Sequence, residues 1–184
     1  MENQKSRDIN SCSKVRATCE WVLKNSKMVS IQDAEIDKFI LDLSAMVQKQ
    51  GISYDKWSDW HLDDPGQYTI EQITAYVFVV DAMNFCFWPN NPSGNFEYDS
   101  MTRNLEKILK NDPEFFKCDR LICVTEDFLR ENVFNGMQEF CLVDERARII
   151  NEMAAVIENE YNSSFYDFVV ASGFDCVNMV NLIV

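Results

Sequence analysis

Asp81 and Asn84 interrupt the most apolar stretch of this chain, Tyr-Val-Phe-Val-Val-Asp-Ala-Met-Asn-Phe-Cys-Phe-Trp-Pro from Tyr76 to Pro89. Three residues apart, the two share a face if the stretch is helical. A carboxylate and an amide in apolar surroundings need hydrogen-bond partners or a ligand. Aimed into a space lined by Tyr76, Phe85, Phe87 and Trp88, they would make a small-molecule pocket. Two readings stay open: the pair contacts a ligand, or it caps and braces neighbouring backbone. Residue chemistry alone favours bracing. Trp88 is a further candidate contact, although aromatics at helical spacing usually pack. The single histidine, His61, lies in a turn-rich connector with Trp57, Trp60 and four aspartates. Loops carry function more often than cores do. A lone loop histidine, taken by itself, still reads as exposed or simply hydrogen-bonded.

The elements that must position these side chains read as helices. Residues 1–11 form a loose polar tail. Val15, Cys19, Val22 and Leu23 recur at helical spacing from Ser13 onward. Ser30 opens a second helix, whose expected buried stripe is Ile36, Phe39, Ile40, Leu43, Met46 and Val47, with Gly51 as its C-terminal cap. Thr69 and Gln72 make a capping box ahead of the apolar stretch. Val77 to Val80 leave that helix no polar face, so segment 73–84 is predicted to be buried at the centre. Pro89 to Gly94 then break the chain.

Asp99 is expected to cap a helix that turns Met101, Leu105, Ile108 and Leu109 inward and stops at Asp112-Pro113. Thr125 caps a short helix through Phe134. Val143, Ala147, Ile150, Ala154, Ile157 and Tyr161 form one stripe. Glu145, Arg146, Arg148, Glu152 and Glu158 decorate the remainder, and Glu145, Arg146 and Arg148 read as surface ion pairs or inter-helix bracing. Short helical pieces follow at 165–170 and 175–183, and 95–98 and 121–125 allow minor extended structure. The fold class is therefore mainly α: one helical domain from residue 12 to 184 with at most minor β. The apolar run Asn-Leu-Ile-Val at 181–184 supports the expectation that this domain continues beyond the chain.

A formal charge of −13 excludes partners that need a basic surface, so neither a polynucleotide nor an anionic membrane is expected. No run approaches the length of a membrane span. The seven cysteines are odd in number and include no C-x-x-C pair, which fits reduced thiols in a cytoplasmic protein. One histidine and unpaired cysteines give no zinc motif, so no metal is expected.

Four segments carry a resemblance. Val77 to Trp88 resembles the signature of the queuosine salvage proteins, which are queuosine 5'-phosphate N-glycosylases. Val15 to Ile31 is similar to that family's first helix. Trp57-x-x-x-His61 precedes the signature at the family's distance, and Leu142 to Glu152 resembles its later Glu-Arg helix. Residues 90–124 match poorly, and nothing is carried over there. The resemblance implies a helical architecture similar to DNA glycosylases, with no cofactor and no metal. The implied activity is hydrolysis of a small nucleotide, queuosine 5'-phosphate, to release queuine for reuse in transfer-RNA modification. It also implies a protein about twice this length. The catalytic residue, an aspartate, and the stacking aromatics would then lie in a remaining C-terminal segment.

The same resemblance makes His61 the first choice for a base contact, followed by Asn84, Asp81 and Trp88. Breaking an N-glycosidic bond builds positive charge on the ribose, which a carboxylate stabilises. Queuine is a 7-deazaguanine and lacks the ring nitrogen that purine hydrolases protonate. A histidine and an amide could hold its other polar edges, and an acidic pocket suits its secondary ammonium. Without the resemblance, a non-catalytic helical adaptor would be preferred. A DNA glycosylase is opposed by the charge.

Overall fold

The computed structural model describes residues 11–28, 30–50, 59–87 and 96–183. Residues 1–10 of the expected tail, Gly51, Trp57, Trp88 and the Pro89–Gly94 break lie outside the described residues, while Ser11, the last residue of that tail, opens a helix. All regular structure among the described residues is helical. The helices are α1 (Ser11–Asn25), α2 (Asp33–Gln50), α3 (Ile70–Met83), α4 (Tyr98–Asn111), α5 (Cys118–Leu121), α6 (Glu126–Asn132), α7 (Val143–Glu160), α8 (Phe165–Ala171) and α9 (Cys176–Ile183), with a 3-10 turn at Pro65–Gln67. None of these helices is long and apolar enough to cross a membrane. The two expected extended pieces are not strands: Tyr98 opens α4 and Leu121 ends α5.

Two compact units are present, Met1–Tyr54 with Asp175–Val184, and Asp55–Phe174. In the first, α2 starts at Asp33 because the amides of Glu35 and Ile36 turn onto the Gln32 carbonyl. Ser30 lies ahead of that turn, where its hydroxyl accepts from the Gln32 side chain. The stripe expected to be buried is exposed instead, with Ile36 45%, Phe39 63% and Ile40 52% accessible. An amphipathic helix hides its apolar face only where another element covers it, and no described element covers this one.

The second unit is built on α3, which packs against α4, α7 and α8. The capping box forms as the sequence implies: the Gln72 amide donates to the Thr69 hydroxyl at 3.2 Å, and the Thr69 amide donates to the Gln72 side chain at 2.9 Å. Ala75, Tyr76, Val79, Val80 and Met83 are buried. Fully burying an aliphatic side chain of this size contributes roughly 1.5–3 kcal/mol. The helix is not apolar on all sides in practice, because Asp81 stands exposed on its last turn. Phe78 meets Phe165 and Phe168 of α8 at 5.4 and 5.5 Å. The first turn of α8 is held by Glu71 of α3, whose carboxylate accepts from the Ser164 hydroxyl at 2.7 Å and from the Phe165 and Tyr166 amides at 2.8 and 2.9 Å.

Helix α4 begins one residue ahead of the expected cap, with Glu97 at the N-cap and Asp99 in the first turn. Met101, Leu105 and Leu109 point inward. Thr125 caps α6 by accepting from the Phe128 amide, but that helix ends at Asn132. On α7, Val143, Ala147, Ile150, Ala154 and Ile157 form the buried stripe. Asn151 on its flank donates to the Leu121 and Val124 carbonyls, which ties down the turn after α5.

Candidate functional site

His61 lies half-buried between two tyrosines. Its ring stands edge-on to Tyr76 at 6.3 Å and to Tyr98 at 5.7 Å, and its Nε2 is 3.5 Å from the Tyr98 hydroxyl. The loop that carries it is fastened by α4. Arg103 donates to the Asp59 carbonyl at 2.8 Å and to the His61 carbonyl at 3.3 Å, and it pairs with Asp63. Glu106, only 3% exposed, accepts from the Asp63 amide at 2.6 Å and pairs with Lys110 at 3.1 Å. The connector is thus a loop in secondary structure but is fixed by charge-assisted bonds. Below it, Tyr76 is fully buried and donates to the Thr102 carbonyl at 3.2 Å.

Asp81 faces this group from the end of α3. Although the residue as a whole is exposed, its carboxyl is partly desolvated, which holds it above the ordinary carboxylate range, and the nearby His61 opposes that rise. Desolvation keeps the His61 imidazole below its usual value; the Asp81 charge works against that shift and Arg103 adds to it. Burial, with a smaller contribution from Asp81, also raises Tyr98. The structure therefore brings His61 and Asp81 into one electrostatic cluster with Tyr98. Separated by some twenty residues, they were legible in the sequence only as individual candidates.

Asn84 is exposed at the C-cap of α3, where its amide donates to the Asp81 carbonyl at 3.3 Å. That bond uses the backbone, and the side chain stays on the open side of the helix end. Trp88 falls outside the described residues. Phe87 is half-buried and packs against Phe96 and Phe140, so it belongs to the aromatic core.

For Arg146 the sequence left two readings, a surface ion pair or inter-helix bracing. It is not a surface ion pair: it is fully buried. It braces, and its partners are backbone carbonyls. The guanidinium donates to the carbonyls of Met83 at 3.2 Å, Phe85, Cys86 at 3.4 Å, Cys141 at 2.6 Å and Leu142 at 3.1 Å. Its carbon sits 4.2 Å from the Phe85 ring centre and 5.1 Å from that of Phe140. Carbonyl dipoles and π faces replace water around the buried cation. The result is a clasp that fixes the backbone on either side of Asn84. A sequence signal did exist: Arg146 stands three residues after Val143 and four before Ile150, in register with the buried stripe. Tyr98 and Arg103 gave no such signal, because their partners lie about forty residues away.

A cleft of about 580 Å³ opens at the opposite end of α3, between Thr69, Gln72, Phe116, Lys117 and Glu158. At 1.5 Å of rise per residue, Gln72 and Asp81 are about 14 Å apart along the helix. The cleft therefore contains none of the described candidates, His61, Asp81 and Asn84. Among the described residues no cluster of three or more His, Cys, Asp or Glu side chains could hold a metal.

Comparison with known proteins bears on this arrangement. The profile of the family described as queuosine salvage protein matches residues 64–184. A curated relative from Dictyostelium discoideum, named queuosine 5'-phosphate N-glycosylase/hydrolase, is 30% identical over 184 residues, which is 95% of this chain and 54% of that protein. Proteins of the same name from Sphaerobacter thermophilus and Bos taurus are 30% identical over 121 residues and 23% identical over 180 residues. They are covered over 37% and 52% of their lengths, against 61% and 92% of this chain. The chain thus spans about half the length, or less, of the relatives it matches. Both the helix that carries Asp81 and the helix that clasps it fall inside the family match, which takes in more than half of the sequence, and the chain belongs to the queuosine salvage protein family.

Proposed function

We propose that this chain supplies the base-recognising part of an enzyme that hydrolyses the N-glycosidic bond of queuosine 5'-phosphate and releases queuine. The observation that carries the reading is the His61–Asp81–Tyr98 cluster at the end of α3, within a family whose relatives bear that activity in their names. His61, kept neutral by its desolvation, offers one donor and one acceptor to a base edge. Asp81 supplies a negative charge for the secondary ammonium of queuine. Asn84 presents an amide to a second base edge, and Trp88 is assigned to the same contact surface. The Arg146 clasp supports this edge by fixing the turn that follows α3.

The residue that stabilises the ribose cation is assigned to polypeptide beyond this chain, which would complete the site as its partner segment. No cofactor enters the proposal. A cytoplasmic location is part of the same proposal, supported by a cysteine pattern that suits reduced thiols.

The test is kinetic and uses the full-length protein. His61→Ala removes edge contacts worth about 0.5–1.5 kcal/mol each and should leave the protein folded. It should lower kcat/KM for queuosine 5'-phosphate at least about tenfold, or about 1.4 kcal/mol of transition-state stabilisation. Unchanged kcat/KM in a folded variant would remove His61 from the site.

A further inference from the structure

Outside the proposed base contacts, Cys86 and Cys141 bring two thiols together. Their sulfurs lie 3.6 Å apart, although 55 residues separate them in the chain. Both side chains are half-buried, so a small reagent can reach them. Neither residue is in a helix. Cys86 follows the C-cap of α3 with φ at 53°, and Cys141 precedes Leu142, whose φ is 54°. A disulfide needs its sulfurs about 2.05 Å apart. Neither residue has to leave a helix turn for the sulfurs to close the remaining gap. The backbones are already held together: Arg146 donates to the Cys86 and Cys141 carbonyls, and the Cys141 thiol lies 3.4 Å from the Cys86 carbonyl.

We propose that Cys86 and Cys141 form a thiol–disulfide exchange site, closed into an intramolecular bridge by low-molecular-weight disulfides. One cysteine thiolate attacks the small disulfide, RSSR. A mixed protein–S–SR disulfide forms, and the expelled RS⁻ takes up the proton that the attacker lost. The second cysteine then attacks the protein sulfur of that mixed disulfide and displaces the other RS⁻, which is protonated in turn. Two protein thiols are oxidised and RSSR is reduced to two RSH. The adjacent Cys141 thiol and desolvation hold the Cys86 thiol above its ordinary pKa, and the Arg146 cation opposes that rise. The bridge would staple the segment after Asn84 to the turn that leads into α7.

The experiment treats the reduced full-length protein with oxidised glutathione, quenches with acid and maps the peptides by mass spectrometry without reduction. The expected product is a Cys86–Cys141 linked peptide that dithiothreitol reverses. In Cys86→Ser or Cys141→Ser the remaining cysteine should retain glutathione as a mixed disulfide. Persistent thiols, stable mixed disulfides on both wild-type residues, or a link to a different cysteine would overturn the proposal. The wild-type map decides the matter even if a serine variant fails to fold. A second readout is amide hydrogen exchange at residues 84–87, which should slow at least about tenfold in the bridged form. Unchanged exchange would reject the stapling.

Discussion

Truncating Arg146 tests whether the segment that carries Asn84 is held from behind. In Arg146→Ala the Met83 carbonyl keeps a backbone donor, the Phe85 amide at 2.8 Å, and the Leu142 carbonyl keeps the residue-146 amide, at 3.1 Å in the native chain. The Phe85 and Cys141 carbonyls lose the guanidinium. A buried acceptor stripped of its donor costs about 1–3 kcal/mol. The cation–π contact with Phe85 adds about 0.5–2 kcal/mol, and the vacated space adds a cavity cost. Relief from burying a charge offsets several kcal/mol of this. The expected net loss is about 2–4 kcal/mol, within the ~5–15 kcal/mol by which domains are stable. Urea unfolding at pH 7, with an unchanged slope against denaturant, measures it. Arg146→Lys should fail to restore stability, since an ammonium keeps the burial cost and lacks the planar fork that reaches both segments. A loss below about 1 kcal/mol in Arg146→Ala, or a lysine variant within about 0.5 kcal/mol of wild type, would refute the clasp.

Two further outcomes follow from the same geometry. Partial desolvation raises the folded-state pKa of the exposed Asp81, so its contribution to stability is full below the ordinary carboxylate range and is lost as pH rises through the raised value. Asp81→Asn should therefore be more stable than wild type at neutral pH and equal to it in acid, and an unfolding series with no gain at neutral pH would contradict the assignment. Glu71→Ala strips the first amides of α8 and the Ser164 hydroxyl of their acceptor. It should cost about 1–3 kcal/mol by urea unfolding, with Glu71→Gln between it and wild type; an alanine variant indistinguishable from wild type would show that water satisfies that helix start.

Helix starts and inward stripes were readable because their causes are local. Thr69 and Gln72 meet within one turn, Thr125 reaches Phe128, and the stripe from Val143 to Ile157 follows the helical period. Burial was read well only where a partner element exists. The α2 stripe has the right spacing and is still exposed, since periodicity marks a face and does not supply its cover. Asp81 was recognised as anomalous, but its link to His61 depends on how α3 and α4 cross. For Arg146 charge alone left surface pairing and inter-helix bracing open, and register decides for bracing: Glu145 and Arg148 form an exposed pair at 2.5 Å, while the arginine beside them turns inward.

The clasp also has a consequence in time. Arg146 and Met83 are 63 residues apart, and their hydrogen bond closes a loop of that length. The length-dependent part of the closure entropy is on the order of 4 kcal/mol. Five carbonyls from two segments must also converge on one guanidinium before the enclosure is complete. Such an assembly is expected to form after local helices and their first packing contacts, and a φ-value near zero for Arg146→Ala is the measurement that checks it. Its strength then governs mainly how slowly the native chain opens, while the rate of folding is set elsewhere. On that order of events the edge that presents Asn84 is guarded kinetically, through the unfolding rate.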